Sequence, residues 1–402
     1  MSPRFEVGRA TLTAKGRRWH ATGHPWAWRD DISAVEEGRG FLVRVRDDRG
    51  DELGVATWSP SSKIALRFVG AGQDEAEDPL GDRLAWFRAR LQRAIERRAV
   101  LAAETDACRL VSAEADGLPG LIVDCYAKTV VLQSLTPFIE EHLDHIVPAL
   151  VDLVGASSVI ARNDVRVRRL EGLAEGVELC HGSCPDRVDI VEHGLRLSVD
   201  PWRGQKTGFF LDQRPARARA EALAAESQGP VLDLFCYTGG FALHAARGGG
   251  GEVMAVDSSG TAVSELAAAA ERNGLANVEA VQGKVARVLR QLEREGRRFA
   301  GIVLDPPAFA KSRADVDAAH RGYVDLNARA MGLLQPGGWM LTCSCSFNMR
   351  AERFREVLRE AAARAGRRVF DRGRLAPAID HPVLLGLPES DYLKMHLLRM
   401  AD

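Results

Sequence analysis

Two cysteines lie one residue apart in the stretch LTCSCSFN, at residues 341–348, directly after an apolar run. A thiolate is a strong carbon nucleophile. Carbon 5 of a pyrimidine cannot attack an electrophilic methyl group unaided, but a thiolate that adds at carbon 6 pushes electron density onto carbon 5. These cysteines are therefore candidates for nucleophilic catalysis. The alternative is that both are small core residues, because free cysteine is often buried.

A second candidate group is the stretch GIVLDPPAFAKS, in which Asp305-Pro306-Pro307 follows an apolar strand. The prolines fix the backbone and remove N–H donors, so the loop can present a carboxylate and carbonyl oxygens to a flat polar ring. Phe309 either stacks on that ring or fills the core. The loop alone is compatible with methylation of an exocyclic amine, which needs no covalent catalysis, but the cysteines argue against that chemistry.

A glycine-containing turn between a strand and a helix, VLDLFCYTGGFAL, predicts a ligand site beyond the carboxyl end of the strand. Gly239 and Gly240 allow close approach of the backbone, and the new helix offers free N–H groups. The dinucleotide fingerprint G-x-G-x-x-G is not present in this turn, and its absence disfavours pyrophosphate binding. The next strand, VMAVD, ends at Asp257, whose carboxylate suits two ribose hydroxyls. The pair predicts a site for a ribose-containing ligand.

These motifs require a sheet that brings the carboxyl ends of several strands to one edge. From about residue 196, short apolar strands alternate with helices, which predicts a mostly parallel sheet covered on both faces. Upstream, the alternation in FLVRVRD and the glycine and proline punctuation predict short strands and turns in a small β-barrel. We predict domains at 1–75, 80–195 (central, α/β) and 196–402, with the acidic stretch AGQDEAEDPLGD as a linker.

Composition gives few further restrictions. The 402 residues carry a net charge of −1, which gives no sign of a nucleic-acid partner, and local basic clusters are usually solvated faces. Seven scattered cysteines indicate reduced thiols. The stretch Cys180-His181-Gly182-Ser183-Cys184 is a weak zinc candidate, so we predict no metal. The lack of a long apolar run and of a signal peptide leads us to expect a cytoplasmic protein.

The order of these motifs resembles that of the class I S-adenosylmethionine-dependent methyltransferases: a strand, a glycine turn, a helix, a strand that ends in an acid, and then Asp-Pro-Pro. The first motif of that family matches Asp233–Gly239, and its second matches Asp257. Over nearly the whole chain, the sequence is similar to the bacterial large-subunit rRNA cytosine-C5 methyltransferases with an N-terminal PUA domain. The stretches that carry this resemblance are KGRRWHATGHPWAWRDDI, RNDVRVRRLEGL, VDPWRGQKTGFFLDQRPAR, DPPAF, RGYVDLN, TCSCS and HPV.

The resemblance implies an α/β fold in which a PUA β-barrel and a central α/β domain precede a Rossmann-like class I methyltransferase sheet. It implies S-adenosylmethionine as cofactor, large-subunit rRNA as partner, and formation of 5-methylcytosine through a covalent Cys–C6 intermediate. Cys345, in the pattern Ser-Cys-Ser, is the implied nucleophile, and Asp305 is expected to hold the cytosine N3 edge. The implied cofactor-binding residues are Gln213, Arg214, Asp233, Phe235, Cys236, Tyr237, Thr238, Gly239, Gly240, Asp257, Ser258 and Asp305. The implied RNA-binding residues are Lys15, Arg17, Arg18, His24, Trp26 and Arg29.

Some features depart from this pattern or stay open. Cys343 is expected to point to the other strand face, away from the site. Gly283 and Lys284 stand where the family commonly has an adenine-binding Asp, and LGLPESDYLK departs from its Pro-Glu-Gly pattern. One alternative is a guanine-N methyltransferase, a class that lacks the Ser-Cys-Ser cysteine. Another is a non-catalytic RNA-binding scaffold, against which the intact acids and Cys345 argue. A homodimer is left open.

Overall fold

The computed structural model describes residues 7–69, 79–249, 251–310 and 315–402. The chain divides into two compact units. The first comprises Met1–Val191, Val199–Leu211 and Ile379–Ser390; the second comprises Glu192–Ser198, Asp212–Ala378 and Asp391–Asp402. The finer division at 1–75, 80–195 and 196–402 stays a prediction. Most of the predicted linker AGQDEAEDPLGD lies outside the described residues.

The first unit opens with a six-stranded sheet in the order β2-β6-β5-β4-β1-β3. Apolar residues on alternating strand positions, such as Leu12, Val45 and Leu66, are fully buried between its layers. A helix, α1, interrupts the predicted run of strands and turns. Thr13 caps its N-terminal end by accepting a hydrogen bond from Gly16 N at 3.1 Å. The elements are β1 (Gly8–Leu12), α1 (Ala14–His20), β2 (Trp26–Trp28), β3 (Ile32–Glu36), β4 (Leu42–Arg46), β5 (Glu52–Trp58) and β6 (Ile64–Phe68).

A five-stranded sheet in the order β11-β10-β9-β8-β7 follows in the same unit. Two helices in this part of the chain, α3 and α4, are joined at His142. Trp86, Phe87 and Phe138 fill the core beneath α2. The elements are α2 (Arg83–Glu96), β7 (Ala107–Ser112), β8 (Leu121–Tyr126), β9 (Thr129–Ser134), α3 (Pro137–Glu141), α4 (Leu143–Val154), β10 (Ser158–Arg162), α5 (Val167–Leu170) and β11 (Val177–Gly182). Two further strands, β12 (Val188–Glu192) and β13 (Leu195–Val199), pair with each other.

The second unit is a seven-stranded sheet flanked by helices. Its elements are α6 (Arg214–Ser227), β14 (Val231–Leu234), α7 (Gly240–Arg247), β15 (Val253–Asp257), α8 (Gly260–Arg272), β16 (Val278–Gln282), α9 (Val285–Arg294), β17 (Phe299–Leu304), α10 (Val316–Gly332), β18 (Leu334–Ser344), α11 (Ala351–Arg364), β19 (Val369–Leu375) and β20 (Lys394–Met400). The strand order is β16-β15-β14-β17-β18-β20-β19. Strands β14 to β18 are parallel, and β20 is antiparallel to both of its neighbours. The predicted Rossmann-like class I fold is confirmed.

This topology brings the candidate motifs to one edge of the second unit's sheet. The parallel strands β14, β15, β17 and β18 have their carboxyl ends at the same edge, and in such sheets ligands bind beyond that edge. The neighbouring strands β14 and β17 lie inside this sheet, and their residues are buried. Within the described ranges, every helix is too short or too polar to cross a lipid bilayer.

Candidate active site

The turn after β14 is tightly folded. Phe235 and Tyr237 have positive φ angles of 64° and 49°, a region that costs non-glycine residues roughly 1–3 kcal/mol each. Gly239 follows at φ 86°, and a Cβ there would lie 2.1 Å from Leu266 Cδ1. Such a chain of unfavourable conformations persists where the backbone has to form a cradle, and it places the free N–H groups of α7 at the sheet edge. The predicted residues Cys236, Thr238 and Gly240 lie in this turn and are buried.

Asp257 ties this turn to the neighbouring strand. Its Oδ2 accepts a hydrogen bond from Tyr237 N at 3.0 Å, and its Oδ1 accepts one from Ser259 N at 2.9 Å. Each carboxylate oxygen has a second lone pair, so the group can still accept bonds from two hydroxyls. Gly283 N donates to Asp257 O at 2.8 Å, which brings the Gly283–Lys284 backbone beside the same carboxylate.

Asp233 is a buried carboxyl group whose oxygens are not hydrogen-bonded within the described residues. It is 1% exposed. Burial, followed by the Asp305 and Asp257 carboxylates, raises the pKa of Asp233 to about 8, while the nearby Ala242 N–H acts in the opposite direction. A buried polar group without partners is costly unless something binds it.

These acids at one sheet edge suit a cationic ligand. S-Adenosylmethionine carries a sulfonium and an ammonium group, and positive charge placed here would offset the repulsion from Asp305 and Asp257, which adds to the effect of burial on the pKa of Asp233. A side chain at Gly239 would collide with Leu266, so glycine is needed there for the turn to pack against α8. The described residues therefore fit this cofactor.

Asp305, at the end of β17, joins this group through Gln213. Gln213 Nε2 donates to Asp305 Oδ2 at 2.8 Å. The fold thus brings together two predicted site residues that are 92 positions apart in the sequence. Arg214 begins α6 beside them and is 1% exposed. Sequence reasoning missed Asp212, whose Oδ2 accepts a hydrogen bond from Tyr392 Oη at 2.5 Å.

The segment that carries Cys345 is held by hydrogen bonds from both sides. Ser344 Oγ donates to Tyr323 Oη at 3.1 Å, and Tyr323 Oη lies 3.0 Å from Ser346 Oγ. Ala310 N, in the loop after Asp-Pro-Pro, donates to Ser346 Oγ at 3.3 Å. The two motifs therefore form one constellation, with the Cys345 side chain partly exposed. Tyr323 belongs to RGYVDLN, but only the fold shows that it bridges the two serines.

Phe309 contacts the same tyrosine rather than standing free. Its ring centroid lies 4.7 Å from that of Tyr323, and its side chain packs against the buried cluster of the second unit. Of the two roles left open from sequence, the structure gives it the core-filling one.

The expectation that Cys343 points away from the site was wrong. Residues two apart on a strand share a face, and β18 ends at Ser344, so the alternation invoked for Cys343 does not separate it from Cys345. Cys343 is buried beside Asp305; burial and the Asp305 carboxylate, which hydrogen-bonds with the thiol, raise the pKa of Cys343 well above its usual range. Cys343 thus belongs to the site as a neutral thiol.

Three of the six predicted RNA-binding side chains have structural partners instead of a free surface. His24 is 3% exposed; its Nε2 lies 3.2 Å from Glu389 Oε2, and its Nδ1 accepts from Trp26 N at 3.1 Å. Trp26 Nε1 donates to Glu114 Oε1 at 2.9 Å. Arg29 donates to the backbone carbonyls of residues 59, 60 and 62. These contacts connect the three side chains to Glu389, to Glu114 and to the loop at residues 59–62, so each has a partner within the first unit.

The other three residues lie on α1. Lys15 is exposed and pairs with Asp31 at 2.7 Å, Arg17 pairs with Asp48 at 2.7 Å, and Arg18 is exposed. Two tryptophans that sequence reasoning missed accompany them: a hollow of about 390 Å³ is lined by Lys15, Arg18, Trp19, Thr22, Trp28 and Asp31. Cationic and aromatic side chains side by side suit phosphates and unstacked bases.

Among the described residues, no group of three or more His, Cys, Asp and Glu side chains could hold a metal ion.

Comparison with known proteins agrees with this geometry. The family described as S-adenosylmethionine-dependent methyltransferase matches residues 135–382, and the PUA-like domain family matches residues 10–70. A protein of Tolumonas auensis named ribosomal RNA large subunit methyltransferase I is 40% identical over 94% of this chain and 95% of its own length. One with the same name from Shewanella frigidimarina is 40% identical over 92% and 94%.

Solved structures share the fold over the whole length. A methyltransferase crystallised with SAH, SMU.776, superposes with a TM-score of 0.83 at 21% identity, covering 98% of this chain and all 100% of the other. A protein described as a SAM-dependent methyltransferase from Streptococcus mutans gives a TM-score of 0.81 at 21% identity and the same coverage of 98% and 100%.

The seven-stranded sheet and its acidic edge define a class I methyltransferase. This chain belongs to the S-adenosylmethionine-dependent methyltransferase family and carries a PUA-like domain at its N-terminal end. Its cofactor is S-adenosylmethionine.

Proposed function

We propose that this enzyme methylates carbon 5 of a cytosine in large-subunit rRNA, in the cytoplasm, through a covalent bond between Cys345 and carbon 6. The relatives named ribosomal RNA large subunit methyltransferase I, which match nearly the full length, support the substrate class. The observation that carries the chemistry is the fixed Ser344-Cys345-Ser346 segment beside the loop of Asp305. Methylation of an exocyclic nitrogen would need no thiol at this position.

In this proposal, Cys345 supplies the electrons that carbon 5 lacks. Its thiolate forms a bond to carbon 6, and the carbon 5–carbon 6 π pair becomes available at carbon 5. Bound S-adenosylmethionine supplies an electrophilic methyl carbon. That pair would form the bond from carbon 5 to this methyl carbon, and the methyl–sulfonium bond would break with its electrons on the cofactor sulfur. A base would then take the carbon 5 proton, the electron pair of that carbon–hydrogen bond would restore the ring double bond, and the carbon 6–sulfur bond would break to return the Cys345 thiolate.

Asp305 acts on the ring from the N3 side. A protonated carboxyl, or a proton shared between Asp305 and N3, neutralises the charge that accumulates as the thiolate adds. Gln213, which donates to Asp305 Oδ2 at 2.8 Å, fixes the orientation of this carboxyl.

The remaining predicted residues divide between cofactor and RNA. Asp257 accepts the ribose hydroxyls, Asp233 and the turn from Phe235 to Gly240 with Ser258 border the cofactor, and Arg214 beside Gln213 is suited to a carboxylate through its bidentate fork. The exposed basic residues of α1, with Trp19 and Trp28, position the RNA through phosphate contacts and stacking. The homodimer stays a prediction.

The test is mass-spectrometric mapping of modified cytosines in large-subunit rRNA from a strain lacking this protein. Wild-type protein should restore one 5-methylcytosine, whereas Cys345→Ala should not. Cys180→Ala removes another partly buried thiol, on β11, and serves as the matched control that restores the modification. The proposal would be contradicted if the deletion strain kept every 5-methylcytosine of its parent, or if Cys345→Ala restored the missing one.

A further inference from the structure

A buried lysine lies behind the cysteine segment and has no place in the chemistry described so far. Lys394, at the start of β20, is 2% exposed and pairs in register with Ser344 of β18. Its Nζ donates to Ser346 O at 2.7 Å and to Tyr392 O at 2.6 Å. The Lys394 ammonium is therefore hydrogen-bonded to the backbone carbonyl of Ser346, the residue that directly follows Cys345.

Both of these hydrogen bonds end on neutral carbonyl oxygens, so neither neutralises the positive charge. Burying an ammonium without a counter-charge is expensive, and such groups are rare outside functional sites. The nearby Arg374 and Asp391 form an ion pair with each other. The negative forms of the two thiols, Cys343 and Cys345, would interact most favourably with Lys394, and the Asp391 carboxylate would add to their effect.

The groups that face this pocket come from several elements. Asp305 follows β17, Tyr323 lies on α10, Cys343 and Cys345 come from β18 and its end, and Arg374 and Asp391 lie near Lys394. Burial lowers the pKa of Lys394 to about 8, against the opposing effect of the two thiols, so the ammonium form still predominates at pH 7. Burial and the Asp305 carboxylate raise the pKa of Cys343, and a nearby cation acts in the opposite direction because it favours a thiolate.

We propose that Lys394 is a positioning residue for the nucleophile: its ammonium fixes the Ser346 carbonyl and supplies the positive charge that favours the thiolate form of Cys345. This inference rests on the proposed function, in which Cys345 is the nucleophile. The thiol proton passes to solvent when Cys345 ionises, and Lys394 keeps its own protons throughout. Lys394 thus acts through Cys345 and does not exchange a proton with the substrate.

The test is the pH dependence of alkylation of Cys345 by iodoacetamide in the full-length protein, with tandem mass spectrometry to separate Cys345 from Cys343. Wild type should react with a midpoint below the ordinary thiol pKa of about 8.5. Lys394→Met should raise the midpoint by about one pH unit and slow alkylation at pH 7 about tenfold. Lys394→Arg, which keeps the charge, should stay close to wild type.

Lys128→Met is the matched control, because it removes an exposed lysine of the first unit and should leave the profile unchanged. A folded Lys394→Met protein with the wild-type profile would overturn the inference. If that variant does not fold, the wild-type midpoint decides alone, since a value at or above that of an ordinary thiol overturns the inference as well. The assay needs no RNA, so its outcome is independent of whether Cys345 methylates cytosine.

Discussion

Replacing Asp233 by Asn should stabilise the cofactor-free protein, although we propose Asp233 as a cofactor-binding residue. The carboxyl is 1% exposed and lies near two other carboxylates, so burial and these neighbours raise its pKa to about 8. In the unfolded chain, the same group has its usual pKa of 3.8. An amide has similar size and shape but does not ionise, so it removes this difference between the two states.

The size of the effect follows from linkage. The folded state binds the proton more tightly, so the free energy of unfolding falls as pH rises between about 4 and 8 and is level beyond that window. Each pH unit in the window corresponds to about 1.4 kcal/mol, which amounts to about 2 kcal/mol at pH 5 and about 4 kcal/mol at pH 7. Asp233→Asn should be more stable than wild type by up to these amounts.

Urea titrations of both proteins at pH 5, 7 and 8.5, without cofactor, measure this difference. Asp257→Asn is the control at the same sheet edge. Since Asp257 accepts two backbone N–H bonds, the amide loses one acceptor and should destabilise by about 1–3 kcal/mol. An Asp233→Asn protein whose stability difference from wild type is the same at all three pH values would refute the reasoning.

Other substitutions separate the parts of the site. Asp257→Ala should weaken S-adenosylmethionine binding by roughly 1–3 kcal/mol in calorimetry, and unchanged affinity would remove Asp257 from the cofactor site. Lys15→Ala with Arg18→Ala should weaken RNA binding and lower its log–log salt slope by about 0.7 for each phosphate that is no longer neutralised, with cofactor affinity as the unaffected control. Tyr323→Phe should slow single-turnover methylation and cost about 1–3 kcal/mol of stability, because it removes the hydroxyl between Ser344 and Ser346; wild-type rates would contradict its role.

Much of the second unit could be predicted because its signals are local. Short apolar strands followed by helices fix the parallel sheet, and acids placed at the strand ends must meet at its edge. Asp233, Asp257 and Asp305 were found in this way, and the structure brings them close enough to perturb one another. Their spacing along the chain, not their detailed contacts, carries that information.

The missed features depend on contacts between distant segments. His24 was expected to bind RNA, but its side chain is buried and its partner Glu389 lies 365 residues further along the chain. Lys394 reaches the cysteine segment only because β20 is antiparallel to β18. The position of Cys343 was misjudged through the strand period itself, since residues two apart share a face. Pairing across a sheet decides such positions, and a single sequence does not display it.

The most direct test of the central claim is covalent trapping on large-subunit rRNA transcribed with 5-fluorocytidine in place of cytidine. Fluorine cannot leave carbon 5 as a proton does, so the bond between sulfur and carbon 6 should persist after methyl transfer. Wild type with S-adenosylmethionine should give a denaturant-resistant protein–RNA adduct whose linked peptide contains Cys345, and Cys345→Ala should give none. Absence of an adduct in wild type, or an adduct that survives in Cys345→Ala and disappears in Cys343→Ala, would contradict the account.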